Sequence, residues 1–261
     1  MSPSQMGDNL QYADLGTGRT AKAISLGSSH ACVILDNNKV KCWGYNASGA
    51  LGLGDTTNRG ALPNQMGDNL PYVDLGTGRT AKSIAATSLG ACVVLDNNSV
   101  KCWGSNNFGQ LGLGDKIDRG GHSGDMGDNL PTVDLGTGRY AVSLSAKHAN
   151  FCAILDDKSL KCWGHNGNGH LGLGDTVFRG DGAGQMGDNL PPVDLGTDFK
   201  VHTVSSNYYG FCATSTLGKL KCWGANSYGV LGLELPGTEM KGDEPGEMGD
   251  NLPFVNLGSN F

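Results

Sequence analysis

Residues 91–112 read Ala91-Cys92-Val93-Val94-Leu95-Asp96-Asn97-Asn98-Ser99-Val100-Lys101-Cys102-Trp103-Gly104-Ser105-Asn106-Asn107-Phe108-Gly109-Gln110-Leu111-Gly112. Two short apolar runs flank an Asp-Asn-Asn cluster, the pattern of two strands joined by a tight turn. Asn98, last in the cluster, accepts positive φ, as a three-residue hairpin loop with a bulge requires. That loop sets Leu95 opposite Ser99. Counting back pairs Val94 with Val100, Val93 with Lys101 and Cys92 with Cys102. Directly opposed residues on antiparallel strands have Cα atoms about 4.5–5.5 Å apart, within the reach of a disulfide.

The same hairpin returns at a step of sixty residues, with cysteines at Cys32 and Cys42, Cys92 and Cys102, Cys152 and Cys162, and Cys212 and Cys222. The other turns are Asp36-Asn37-Asn38, Asp156-Asp157-Lys158 and Thr216-Leu217-Gly218, with Lys158 the poor fit to positive φ. The repeat favours four identical within-unit bridges, although eight cysteines allow 105 pairings and eight buried thiols are the alternative. Closing a ten-residue loop contributes about 2–3 kcal/mol, so each bridge stiffens one hairpin. Two thiolates per unit do not make a four-ligand zinc knuckle.

Outside the hairpin, Met6, Met66, Met126 and Met186 each open a Met-Gly-Asp-Asn-Leu phrase, and a fifth begins at Met248. A period of this size marks one supersecondary unit of a propeller or solenoid. In the second unit, Pro71 to Leu75, Ser83 to Ala86, Ala91 to Leu95 and Ser99 to Trp103 read as short strands, with no helical periodicity between them. The expectation is an all-β fold: a β-propeller of four repeats, one four-stranded blade each, in a closed, partial or open ring. The chain is then a single repeat domain, 1–261, with blades near 20–77, 80–137, 140–197 and 200–258. Each blade takes its outer strand from the next repeat's phrase, which leaves a surplus N-terminal strand at 6–16. An unpaired strand edge invites another chain.

Composition narrows the function. A net charge of −6 with 19 dispersed basic residues argues against nucleic acid. No apolar run approaches the roughly 18 residues of a membrane span. The 43 glycines sit at fixed places in each unit and lack a collagen period. Met1 to Gln5 does not read as a secretory signal.

The run Cys102-Trp103-Gly104-Ser105-Asn106-Asn107-Phe108-Gly109-Gln110-Leu111-Gly112, with Cys42-Trp43-Gly44-Tyr45-Asn46 and Leu51-Gly52-Leu53-Gly54-Asp55 in the first unit, resembles the regulator of chromosome condensation repeat. The resemblance covers nearly the whole chain and implies a propeller with one blade per repeat, commonly seven per ring. Family functions range from guanine-nucleotide exchange and chromatin binding to ultraviolet perception and extracellular recognition, so fold alone does not choose. The family's His before the third strand is matched by His30 only, where the later units carry Gly90, Asn150 and Gly210. One Trp per repeat, without further clustered tryptophans, argues against photoreception, and no basic tail supports chromatin binding. The paired cysteines resemble bacterial surface or secreted members, which points to an extracellular or cell-surface location.

Three constellations remain. The turn aspartates Asp55, Asp68, Asp115, Asp128, Asp175, Asp188 and Asp250 could gather calcium, but Asx-turns and pairing with Arg59, Arg119 and Arg179 account for them more simply. His148, His165 and His170, with His122 upstream, invite a transition-metal reading, outweighed by incidental turn histidines. Metal and cofactor are therefore both expected to be none. No unit carries a nucleophile, base and acid missing from the others, so no catalytic residues are expected and the protein is read as a non-enzyme. The positions that vary within the fixed frame are Tyr45, Phe108, His165 and Tyr228, which fall at one face and form a candidate binding rim. The expected function is an extracellular interaction module for a protein or glycan. The alternative is a structural subunit that self-associates head to tail into a ring or filament, and the third reading is nucleotide exchange on a small GTPase.

Overall fold

In the computed structural model, which describes residues 7–258, the chain forms four antiparallel sheets in chain order. The first holds β1 (Ala21–Leu26), β2 (His30–Leu35) and β3 (Val40–Gly44), and the second β4 (Ala81–Ala86), β5 (Gly90–Leu95) and β6 (Val100–Gly104). The third holds β7 (Ala141–Lys147), β8 (Asn150–Leu155) and β9 (Leu160–Gly164). The fourth holds β10 (Val201–Ser206), β11 (Gly210–Ser215), β12 (Leu220–Ala225) and the two-residue β13 (Met240–Lys241).

Hairpin register follows from the turn. Leu35 N–H donates to the Lys39 carbonyl at 2.9 Å, so alternation along the ladder places Cys32 opposite Cys42 at a non-hydrogen-bonded pair, where strands approach most closely. The Cα atoms of all four cysteine pairs are 4.0–4.1 Å apart and all four are disulfide-bonded. The last turn residue is left-handed in every unit: Asn38 at φ 61°, Asn98 at 68°, Lys158 at 69° and Gly218 at 76°. Register imposes that conformation on Lys158 against its own preference.

The expected fourth strand is corrected. Pro71–Leu75 forms no ladder, and its one backbone hydrogen bond to β3 is Val73 N–H to the Val40 carbonyl at 2.9 Å. Pro71 has no N–H, and Asp74 Oδ1 accepts from Gly76 N–H at 2.9 Å, which bends the chain away directly after Val73. The other half of β3's outer edge is met by Arg59, bridged to Gly44; β13 occupies the matching place in the last sheet. The surplus segment at the N-terminus likewise forms no strand. Gly7–Asn9 is a short 3-10 turn, the following residues are extended and mostly exposed, and Met6 lies outside the described residues.

Three apolar clusters lie between successive sheets and none joins the last sheet to the first, so the described residues form an open arc. At the first seam Cys32, Ile34, Val40, Cys42 and Leu51 of one unit meet Ala86, Val93, Leu95 and Trp103 of the next. Burying each such aliphatic or aromatic side chain stabilises by about 1.5–3 kcal/mol. Every seam carries the same polar bond: the indole N–H of Trp103, Trp163 and Trp223 donates to the carbonyl of Ala50, Gln110 and His170 at 3.0–3.1 Å.

Buried lysines fasten the outer phrases. Lys161 Nζ donates to the carbonyls of Leu135 at 3.0 Å and Gly187 at 2.8 Å, and Lys41, Lys101 and Lys221 make the same pair of bonds. The turn aspartates are also occupied. Asp128 accepts from Thr77 N–H and Thr77 Oγ1–H, while Asp55, Asp115 and Asp175 pair with Arg59, Arg119 and Arg179 at 2.6–2.8 Å.

Candidate functional site

At the inner end of each sheet a short turn joins the first two strands, and these four turns line a concavity of about 260 Å³ on the inner side of the arc. Their sequences depart from one another: Gly27-Ser28-Ser29, Thr87-Ser88-Leu89, Lys147-His148-Ala149 and Asn207-Tyr208-Tyr209. The segment after each third strand is hydrogen-bonded to the same turn, Tyr45 N–H to the Ser29 carbonyl and His165 N–H to the Ala149 carbonyl. Inner turns and Cys-Trp-Gly loops therefore share one face.

On that face the second to fourth units carry two groups of rings. Phe108 stands edge-on to His165 at 5.0 Å between centroids, Phe178 lies 4.8 Å from His165, and His170 lies 5.8 Å from it. A second row runs from His148 to Tyr208 at 5.6 Å, Tyr208 to Tyr209 at 5.3 Å, and Tyr209 to Tyr228 at 6.1 Å. Tyr208 and Tyr228 are 69 % and 94 % exposed, so the second row ends in solvent. Phe108 and His165 thus meet, Tyr228 belongs to the neighbouring row, and Tyr45 stands exposed with no aromatic neighbour among the described residues.

Beneath the rings lies Lys147. It is buried, its ammonium has no hydrogen-bond partner, and the nearest compensation is the Phe211 ring at 5.9 Å. Burial pulls its pKa down to about 7. His170 is also buried, with ring nitrogens that find no well-aligned partner. Desolvation first, then the Lys147 charge and His165, push its pKa down to about 3. His165 is lowered by burial and by His148 and Lys147. Both rings are neutral at pH 7. Among the described residues no three His, Cys, Asp or Glu side chains gather as a metal site.

Lys147, Phe178, Tyr208 and Tyr209 escape the reading of the Cys-Trp-Gly loops. The signal was available in the inner turn, where Lys147 takes the slot held elsewhere by Gly27, Thr87 and Asn207. Unpaired buried polar groups are uncommon in folded proteins; Lys147 and His170 are two of them, beside His30, Ser83 and Asp243 in the other units.

The arc of disulfide-clipped blades is a β-propeller architecture, and sequence and structural comparisons agree on its kind. The model of the regulator of chromosome condensation (RCC1) repeat matches residues 21–50 and 81–110. The ultraviolet-B receptor UVR8 of Arabidopsis thaliana is 28% identical over 221 residues, 83% of this chain and 44% of the receptor. The human X-linked retinitis pigmentosa GTPase regulator is 29% identical over 157 residues, 58% of this chain and 13% of that protein. Among solved structures, yeast RCC1 (Prp20) bound to Kap60 superposes with a TM-score of 0.62 at 17% identity, covering 94% of this chain and 50% of the other. Human WBSCR16 gives 0.65 at 18% identity, covering 87% and 54%. Residues 21–50 and 81–110 thus carry the regulator of chromosome condensation repeat, and the remaining units follow the same fold. The chain spans under half the length of these curated relatives and about half of the solved chains.

Proposed function

We propose that this chain is a non-enzymatic recognition module that works outside the cell and binds a protein or glycan through the ring-lined face of its third and fourth units. The observation that carries the reading is the group His148, Tyr208, Tyr209 and Tyr228, which begins at the concavity that the unpaired, buried Lys147 also lines, where the sixty-residue frame holds constant and the surface residues change. Exposed tyrosines supply large contact area at small entropic cost and can stack on sugar faces or pack on apolar protein side chains. The four hairpin disulfides support an oxidising compartment.

The test is binding of the labelled chain to glycan arrays and displayed protein libraries, beside a Tyr208→Ala/Tyr228→Ala double variant and Leu217→Ala as an exposed control away from this face. Hits on which the double variant loses at least about ten-fold in affinity while the control does not support the reading. Hits bound equally by all three overturn it.

A further inference from the structure

The two ends of the arc are the two unmatched sides of a seam that occurs three times within it. At each interior seam the later unit gives an indole N–H to the earlier unit's carbonyl, as Trp103 does to Ala50. Among the described residues Trp43 has no such acceptor and the Val230 carbonyl, at the place of Ala50, has no such donor. A second seam bond runs the other way: Gly54, Gly114 and Gly174 N–H donate to the carbonyls of Gly120, Gly180 and Gly242 at 3.0 Å. Among the described residues its halves without a backbone partner are Glu234 N–H and the Gly60 carbonyl. Glu234 keeps the backbone of its glycine counterparts, with φ 55° against 71–74°, so that N–H stays presented although the residue is no longer glycine.

Apolar side chains follow the same division. Ala86 is 7 % exposed within its seam, whereas Leu26, its counterpart on the first unit, is 68 % exposed beside Ile24 at 62 %. Leu75, Leu135 and Leu195 are buried, whereas Leu257, at the same place in the last unit, is 60 % exposed. Each end thus lacks what the other carries: donor against acceptor, and apolar patch against apolar patch. A second copy reproduces this match at both ends by construction.

We infer that the first unit of one chain docks on the last unit of a second copy through Trp43 to Val230 and Glu234 to Gly60 hydrogen bonds, with Ile24 and Leu26 buried near Leu257. The contact is heterologous, so it closes a ring or extends a filament according to the rotation it imposes. The chain covers 50–54% of the solved propellers.

The experiment is sedimentation velocity of the full 261-residue chain across a hundred-fold concentration range. Wild type is compared with Leu26→Glu, Leu257→Glu and, as an equally exposed control at 62 %, Ile117→Glu. All three positions are open to solvent in the single chain, so circular dichroism should match wild type. Expected are concentration-dependent mass for wild type and the control, and at least ten-fold weaker association for either end variant. An equimolar mixture of the two end variants should regain association, because each retains the end the other has lost. A wild-type chain that is monomeric throughout, end variants that associate like wild type, or a mixture that stays as weak as its components overturns the inference.

Discussion

Replacing Lys147 with Met tests the reading of the candidate site most directly, because the substitution keeps the length of the side chain and removes its charge. The pKa of Lys147 falls from an ordinary 10.5 to about 7 on folding. At about 1.4 kcal/mol per pH unit, that shift corresponds to roughly 5 kcal/mol of lost stability when the unfolded chain is protonated and the folded one must bury the charge. Water entry and relaxation lower the cost of a buried ion, so about 2–4 kcal/mol is the expected gain for Lys147→Met at neutral pH. The direction with pH is fixed. Between pH 7 and 10.5 the unfolded state binds more protons than the folded state, so wild-type stability from this group rises with pH across that window. Below 7 the penalty is complete. The gain from Lys147→Met should therefore be largest near pH 7 and shrink steadily towards pH 10. Guanidinium unfolding of the oxidised protein at pH 6.5, 8 and 9.5 measures it, and the wild-type minus variant difference cancels the parallel contributions of Lys101, Lys161 and Lys221, whose pKa values burial also lowers. A variant that is less stable than wild type, or a difference that does not change with pH, refutes the account of Lys147 as an unpaired buried amine.

Lys161→Met should do the opposite, destabilising by about 2–4 kcal/mol in the same assay, because it strips the Leu135 and Gly187 carbonyls of their buried donor. Trp163→Phe keeps most of the apolar burial but leaves the Gln110 carbonyl unpaired, an expected loss of about 1–3 kcal/mol in denaturant midpoints. Alkylation followed by mass spectrometry should find no reactive thiol before reduction and eight after, and a Cys92→Ser/Cys102→Ser variant should lose about 2–3 kcal/mol. Asp128 is held below the usual carboxylate range by the Thr77 side-chain and backbone bonds, so Thr77→Val should raise its pKa in an NMR titration and reduce the part of the stability that acidification removes, because the folded pKa moves towards the unfolded one.

The hairpins were legible because period-two burial, a three-residue loop and facing cysteines constrain one another, leaving a single register for Cys92 and Cys102. The outer strand was not, because a run such as Pro71 to Leu75 has strand composition while a proline and an Asx-turn deny it a ladder. The lysine of Lys-Cys-Trp-Gly escaped notice for a different reason. Lysine is ordinarily a surface residue, and the carbonyls that hold Lys161 lie twenty-six residues away in both directions, on phrases brought together only by folding. Phe108 and His165 were placed on one face by the period alone. Their neighbour Phe178, and Tyr208 and Tyr209 in the second row, were not, since the ring groups depend on how inner turns and loops of adjacent units interleave.

The lysine fastening has a consequence for how such a chain can change size. Each Nζ binds one carbonyl from the phrase before its hairpin and one from the phrase after it, so every interior joint is written in identical letters. Cutting out one full sixty-residue period between equivalent positions rejoins a donor to acceptors of the same kind, and every remaining joint is complete. Removing thirty residues leaves an ammonium facing the wrong backbone. The molecule can therefore be lengthened or shortened by whole units without redesign of its interior, whereas smaller changes must fall in the loops outside the joint, as do the two extra residues between Lys221 and Gly249.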